Sequence, residues 1–250
     1  MNTTRIPLAL LTGLTVATVV ACSSSDTATD DAAPAAPAPL RPSVTAPPTP
    51  SGPPIIDSVA LSAALLTATD LPAGFTPIAD PGRHPAEPVG PDLDKPDKSK
   101  TTPEQCAKVL SPVSDQQQGS TARAVSRFTG PEFSSIDIDA ASYPAGAAGA
   151  FASVQDLFGQ CLSYSGTDAD GITVDYKLSS IEQPTAGDAS VAVRATTTSE
   201  GLTLTSDVVV AVVGSTIVQI STTGQRPLDP KVLTDVAAKQ ADRLRGAAES

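Results

Sequence analysis

Residues 202–222 read LTLTSDVVVAVVGSTIVQIST, and this stretch indicates the class of fold. Residues 202–213 and 216–222 are rich in Val, Ile and Thr, the side chains that pack well on a pleated, half-buried surface. Gly214 and Ser215 stand between them and have the chemistry of a two-residue hairpin turn. The stretch therefore predicts two antiparallel strands joined by a tight turn.

Three further strands are predicted ahead of this hairpin. Residues 135–140 alternate between polar and apolar, which places Ile136 and Ile138 on the core side of a strand. Residues 172–181 and 191–197 have the composition of strands as well. Because successive strands are joined by short turns, we expect them to pair antiparallel. The sequence predicts an α+β fold, in which helices pack against a twisted antiparallel sheet of about five strands.

Four helices are predicted around this sheet. They cover residues 59–66, residues 103–110 after an N-cap at Thr102, about 17 residues from Pro144, and a terminal helix from Asp229-Pro230 to about residue 245. In the third of these helices, Phe151, Val154, Phe158 and Cys161 lie on one face.

The strand at residues 207–213 is apolar at nearly every position, which is typical of a strand covered on both faces of its sheet. We expect the helices near 145–161 and 230–245 to cover one of these faces. The two earlier helices then cover the other face, or that face lines a cleft.

The first 22 residues have the pattern of an exported lipoprotein. Residues 1–5 carry one positive charge, and residues 6–21 are uncharged, mostly apolar and short for a membrane span. The run ends Val-Val-Ala-Cys, which resembles the bacterial lipobox, where the Cys thiol receives diacylglycerol before the signal peptide is cut. We therefore expect residues 1–21 to be a signal peptide and Cys22 to be lipidated. The alternative is an ordinary signal peptide followed by a chance Cys.

Residues 22–54 are expected to be a lipidated N-terminus and a disordered linker. They are rich in Ala, Pro, Ser and Thr and have almost no large apolar side chain to bury. A Pro-rich docking motif and O-mannosylation of Thr45 or Thr49 stay open as alternatives. Residues 55–250 are then an extracytoplasmic domain, held by its lipid at the outer face of the plasma membrane.

Charge and cysteine content narrow the possible partners. The formal net charge is −11, so binding to a nucleic-acid backbone is not expected.

After lipidation of Cys22, Cys106 and Cys161 remain, and an even pair in an exported domain predicts a disulfide. Two buried free thiols or a redox pair are the alternatives, although the chain has no C-x-x-C motif.

No catalytic or metal site is predicted. The only histidine, His84, lies in a Pro-rich loop. A Ser/His/Asp site would therefore lack its histidine base, and a zinc site would lack enough ligands. Asp137 and Asp139 share one face of a strand, which we interpret as a solvated face rather than an acid/base pair. The Asp168-Ala-Asp170-Gly segment resembles part of a calcium loop but has no completing Glu, which favours a turn. We expect no cofactor and no enzyme activity.

Four segments carry a family resemblance. They are LLTATDLP at 65–72, FGQC at 158–161, GDASV at 187–191, and VVV through Gly214 to VQI at 208–220. Together they resemble the extracellular sensor domain shared by mycobacterial transmembrane Ser/Thr kinases and by many lipoproteins of the same bacteria, over about residues 57–246. This resemblance implies an α+β domain with a cleft for an unidentified ligand and no catalytic residues. Relatives often hold two disulfides, whereas this chain can form one. A competing resemblance is to mycobacterial lipoproteins with a PsbP-like α/β sandwich.

The function predicted from the sequence is a non-catalytic binding or sensing module of the cell envelope. Its partner is an unknown small ligand or an envelope protein, and a protein–protein scaffold without a small ligand is the alternative. We expect a cleft between the early helices and the sheet, walled by small and β-branched residues that include Val210. A fully packed core without a cleft is equally compatible with the sequence.

Overall fold

The computed structural model describes residues 38–50, 52–78 and 98–248. The predicted signal peptide, the lipidation site Cys22 and the loop residue His84 lie outside the described residues. Within the described part, the fold is α+β and is built on one antiparallel sheet, as the sequence predicts.

The sheet has nine strands in the order β1-β3-β4-β9-β8-β7-β6-β5-β2, and every neighbouring pair is antiparallel. The strands are β1 Thr76–Pro77, β2 Lys100–Thr102, β3 Ala122–Thr129, β4 Ser135–Ser142, β5 Ser163–Thr167, β6 Thr173–Ser180, β7 Ala189–Ser199, β8 Leu202–Val213 and β9 Thr216–Gly224.

The helices are α1 Ser58–Ala63, α2 Val113–Gln116, α3 Ala148–Gln160 and α4 Pro230–Ala248, with short 3-10 helices at Ala68–Asp70, Glu104–Lys108 and Pro131–Phe133. In the part of the chain that the structure describes, no helix combines the length and the hydropathy needed to cross a membrane.

The prediction of about five strands is wrong, because the sheet contains four strands that the sequence pattern did not indicate. The five predicted strands correspond to β4, β6, β7, β8 and β9. In β3, the core-facing positions are largely alanines, which give a weak hydrophobic alternation. In β5, Tyr164 is the one large apolar side chain. The two edge strands, β1 and β2, have two and three residues and are defined only by their pairing.

The hairpin predicted at residues 202–222 is confirmed. Val213 pairs with Thr216 across the turn, so Gly214 and Ser215 form a two-residue loop between β8 and β9. Gly214 has a φ of 57°, in the left-handed region that glycine adopts without a steric penalty. This turn fixes the register of the two central strands.

The two long helices cover opposite faces of the sheet, so the prediction that they share one face is wrong. Val209 and Ala211 of β8 belong to the core cluster beneath α1 and α4. Val208 and Val210 belong to the cluster beneath α3, α2 and the helix Glu104–Lys108. Because successive side chains of a strand alternate between faces, β8 must be apolar on both sides. We call these the α4 face and the α3 face.

The predicted disulfide is present and joins Cys106 to Cys161. Both residues are fully buried on the α3 face, and the bond ties the helix Glu104–Lys108 to the residue that follows α3. That early helix is a 3-10 helix preceded by Pro103, rather than the longer helix predicted after a Thr102 cap. The closed loop spans 55 residues. A loop of this length corresponds to about 4 kcal/mol of unfolded-state constraint.

Part of the predicted linker packs on the domain. The amide side chain of Gln155 on α3 accepts from the backbone N–H of Val44 at 2.6 Å and donates to its carbonyl at 2.9 Å. Ala46 is buried in the core cluster of the α3 face. At the end of β6, Ser180 accepts from the backbone N–H of Arg41 through its hydroxyl. We call residues 38–46 the N-terminal arm, and this segment belongs to the folded domain.

Candidate functional site

A concave site lies on the part of the α3 face that the helices leave uncovered. It is a hollow of about 430 Å³ above the central strands, which we call the sheet hollow. Its lining residues are Ile78, Leu110, Pro112, Val125, Arg127, Ser135, Asp137, Ile138, Asp139, Ser206, Val208, Gln219, Ser221 and Thr223. A volume of this size is in the range of small-molecule sites.

Strand register assembles the polar floor of the sheet hollow. Across three neighbouring strands, Arg127 of β3 pairs with Asp137 of β4, which in turn pairs with Ser221 of β9. One step toward the strand ends, Thr223 of β9 pairs with Ser135 of β4 on one side and with Ser206 of β8 on the other. The hydroxyl groups of Ser206 and Thr223 lie 2.8 Å apart. Since adjacent strands are about 4.8 Å apart, these side chains form a continuous polar surface.

The walls of the sheet hollow are apolar. Leu110 and Pro112 come from the segment between the helix Glu104–Lys108 and α2, and Ile78 follows β1. Val125 and Val208 close the sides next to the floor. The disulfide at Cys106 holds the segment that carries Leu110 close to the sheet, so it fixes one wall of the site.

Asp137 lies at the centre of the floor and is only loosely paired. Its Oδ2 accepts a hydrogen bond from the Ser135 hydroxyl at 3.0 Å. Its Oδ1 lies 3.8 Å from Nε of Arg127, at the outer limit of an ion pair. The side chain keeps 38% of its exposure. Burial raises the pKa of Asp137 above its ordinary value, although Ser135 and Arg127 act in the opposite direction.

Asp139 is the more buried of the two carboxyls, with 5% of its surface exposed. The backbone N–H of Ser114 donates to its Oδ1 at 2.8 Å, and the Ser114 hydroxyl donates to its Oδ2 at 2.9 Å. Burial raises the pKa of Asp139 to about 6, against the lowering effect of both hydrogen bonds. Asp137 and Asp139 share one face of the strand, as predicted, but that face is the floor of the hollow. Their interpretation as residues of a solvated face is therefore wrong.

A pair of glutamines continues the attachment of α2 to the floor. Nε2 of Gln116 donates to the Ser111 carbonyl at 2.7 Å and to Oε1 of Gln219 at 3.2 Å. Gln219 is the cross-strand partner of Asp139. The short helix α2 is thereby held to two strands of the floor by side-chain hydrogen bonds.

The predicted cleft is present beside only one of the two early helices, and its lining differs from the prediction. It lies between the sheet and the segment that follows Cys106. The other early helix, α1, packs with α4 on the opposite face, so the prediction that both early helices stand over this face is wrong. Val210, however, is fully buried in the core, and Val208 is the residue of β8 that lines the hollow. The expected walls of small and β-branched residues are accompanied by three charged side chains. The sequence carried a signal for this floor, since polar residues occupy alternate positions of β4 and β9.

The remaining predicted site residues have structural explanations or lie outside the described residues. Oδ1 of Asp168 accepts from the backbone N–H groups of Asp170 and Ile172, so this segment is a turn closed by its own carboxylate, as predicted. Among the residues that the structure describes, no group of three His, Cys, Asp or Glu side chains is arranged to hold a metal ion.

Comparison with known proteins supports the fold. No family model matches the chain, and no curated protein matches it significantly by sequence. The extracellular domain of PknH from Mycobacterium tuberculosis is similar in structure, with a TM-score of 0.53 and 14% identity, over 80% of this chain and 100% of that one. An uncharacterized Mycobacterium smegmatis protein, an ortholog of Rv0999, gives a TM-score of 0.40 and 15% identity, over 77% of this chain and 97% of that one. The chain therefore has a fold like that of the PknH extracellular domain.

Proposed function

We propose that the chain is a lipid-anchored module of the cell envelope that binds a small ligand in the sheet hollow and catalyses no reaction. In this proposal Cys22 carries the lipid, and the domain lies at the extracytoplasmic face of the plasma membrane.

The sequence pattern of the N-terminus and the fold support this location. The uncharged apolar run that ends at Cys22 is typical of an exported lipoprotein. The PknH domain with the similar fold is an extracellular domain, which supports an extracytoplasmic location for this one. The disulfide between Cys106 and Cys161 also fits an oxidising compartment.

The sheet hollow is the observation that carries the binding proposal. Hydrogen-bonding side chains form its floor and apolar side chains form its walls, an arrangement that can orient a ligand and shield it from water. Both oxygens of Asp139 are occupied by Ser114, and Asp137 is engaged by Ser135 and Arg127. These contacts fix the positions of the carboxylate oxygens, so the floor presents acceptors in a defined geometry to a ligand.

Filling the hollow tests this function. Ser221 is half-buried on the floor, so Ser221→Trp projects a large ring into the cavity. The control is Val59→Trp, since Val59 is exposed on α1 on the opposite face. Small molecules that co-purify with the full chain from its native envelope are identified by mass spectrometry. We expect Ser221→Trp to lose a molecule that Val59→Trp retains. Equal recovery with both folded variants would refute binding in the hollow.

A scaffold function is the second candidate, because three apolar side chains are exposed at one end of the sheet. Phe133 precedes β4 and is 89% exposed, while Leu202 and Leu204 begin β8 and are also exposed. The pairing of Ser206 with Thr223 and of Thr223 with Ser135 places these strand ends together. If this end docks an envelope protein, the double variant Leu202→Asp, Leu204→Asp should lose a cross-linked partner that Ser221→Trp keeps.

A further inference from the structure

Among the described residues, the charges that line the sheet hollow do not balance one another. Three charged side chains of this part of the chain line it, namely Asp137, Asp139 and Arg127. Arg127 approaches Asp137 only to 3.8 Å. Asp139 receives hydrogen bonds from Ser114 and forms no ion pair with any residue in the described ranges. The floor therefore holds more negative than positive charge, and a carboxylate removed from water is costly unless a cation compensates it.

This imbalance discriminates between classes of ligand. An anionic ligand would add negative charge beside Asp137 and Asp139, and Arg127, the only cation among the described lining residues, is already directed at Asp137. A neutral ligand would supply hydrogen-bond donors but leave the charge uncompensated. An organic cation with N–H groups supplies both hydrogen-bond donors and the compensating charge. Because the carboxyls are partly removed from water, its attraction to them is stronger than it would be in water.

We propose that the sheet hollow recognises an organic cation, a primary ammonium group on an apolar body. This inference rests on the proposed function and names the ligand class of the same site. It is carried by the cavity, the unbalanced floor and the apolar walls together. Burial raises the pKa of both carboxyls, and a cation beside them would act in the opposite direction.

The floor offers acceptors that match an ammonium group. An ammonium has three N–H donors and no acceptor. Asp137 provides a carboxylate, and its cross-strand neighbour Ser221 and strand neighbour Ser135 provide hydroxyl oxygens that can accept. The apolar body of the ligand would then rest against walls such as Leu110 and Val208. Both ends of the ligand thus find complementary surface.

The test uses three molecules with the same apolar chain and different head groups. Hexylammonium, hexanol and hexanoate are titrated separately into the full chain at pH 7.5, and binding is measured by calorimetry with amide chemical shifts to locate it. We expect hexylammonium to bind about tenfold more tightly than hexanol and hexanoate not to bind, with shifts at β4 and β9. Asp137→Asn should remove the tenfold preference, while Asp156→Asn, at an exposed position of α3, should keep it.

The outcomes separate this inference from the proposed function. If hexanol or hexanoate shifts the floor amides as strongly as hexylammonium, the ligand class is wrong while the hollow remains a binding site. If hexylammonium binds but Asp137→Asn leaves its affinity unchanged, the assignment to the floor carboxylate is overturned. If none of the three molecules shifts the floor amides, the cation proposal fails. The co-purification experiment with Ser221→Trp then decides the proposed function independently.

Discussion

Ser114 donates both its backbone N–H and its hydroxyl to the carboxylate of Asp139, at 2.8 and 2.9 Å. The pair connects β4 in the floor to α2, the helix that directly follows the wall residues Leu110 and Pro112. It also leaves a buried carboxylate that forms no ion pair within the described residues. The pH dependence of the stability of the domain follows from this arrangement.

The burial of Asp139 predicts a pH dependence of stability. Its pKa is raised from 3.8 to about 6 in the folded domain. A carboxyl with a raised pKa contributes stability that is fully present below its unfolded pKa and is lost as the pH rises through its folded pKa. Between about pH 4 and pH 7 this group should therefore lower the free energy of unfolding by about 2 kcal/mol.

The measurement is urea unfolding of the wild type and of Asp139→Asn at pH 4.5 and pH 7.5. Asn cannot ionise, so the variant should lack this part of the pH dependence, while Asp115 and Arg127, the charged neighbours that act on Asp139, are the same in both proteins. The matched control is Asp156→Asn on the surface of α3. An identical pH dependence for wild type and Asp139→Asn would show that Asp139 titrates normally.

The disulfide should make a large contribution to stability. We expect the double variant Cys106→Ala, Cys161→Ala to lose about 4 kcal/mol of unfolding free energy, because the unfolded chain regains the freedom of the closed loop. Chemical denaturation measures this loss, and peptide mapping without reductant should find the two cysteines linked. Wild-type protein in reductant serves as the control and should resemble the variant. A loss below about 1 kcal/mol in both would contradict the prediction.

Docking of the N-terminal arm depends on Gln155. Gln155→Ala removes both hydrogen bonds to the backbone of Val44, each worth about 1 kcal/mol. We expect amide exchange at residues 44–46 to become about tenfold faster or more, while exchange in β8 and β9 stays unchanged. Asp156→Ala, the next residue on α3 but exposed, should leave the arm protected. Equal protection in both variants would mean that Gln155 does not hold the arm.

Lipidation is predicted from the sequence and can be tested in the cell. Replacing Cys22 with Ala should move the protein from the detergent-extracted membrane fraction to the soluble extracytoplasmic fraction, since the thiol that accepts the lipid is lost. Ser23→Ala, the adjacent substitution, should remain with the membrane. Membrane retention of the Cys22 variant would rule out the lipid anchor at this residue.

The sequence predicted those parts of the fold in which local pattern and tertiary position agree. β8 and β9 are long, rich in Val and Ile, and joined by a Gly-Ser turn, so composition alone identified them. β5 was missed because Ser163–Thr167 is mostly small and polar and has no strand-like composition. Its extended conformation is stabilised by backbone pairing with β6. The contact between Gln155 and the N-terminal arm joins residues 111 positions apart, so no local sequence pattern could have predicted it.

The candidate site could be predicted only in part for the same reason. Alternation placed Asp137 and Asp139 on one face of a strand, but it could not distinguish solvent from the floor of a hollow. That distinction depends on α3 and α4 covering opposite faces and on the disulfide bringing the segment with Leu110 over the sheet. Both are long-range relationships, and neither is encoded in the periodicity of a single element.

The most direct test of the account is to locate the ligand on the domain. The small-molecule fraction of the native envelope is added to isotope-labelled full chain, and amide chemical shifts are followed residue by residue. We expect the shifts to concentrate at the floor, at Asp137, Val208 and Ser221, and to disappear in Ser221→Trp. Shifts confined to the exposed end around Phe133 and Leu202, or no shifts at all, would contradict a ligand-binding function for the sheet hollow.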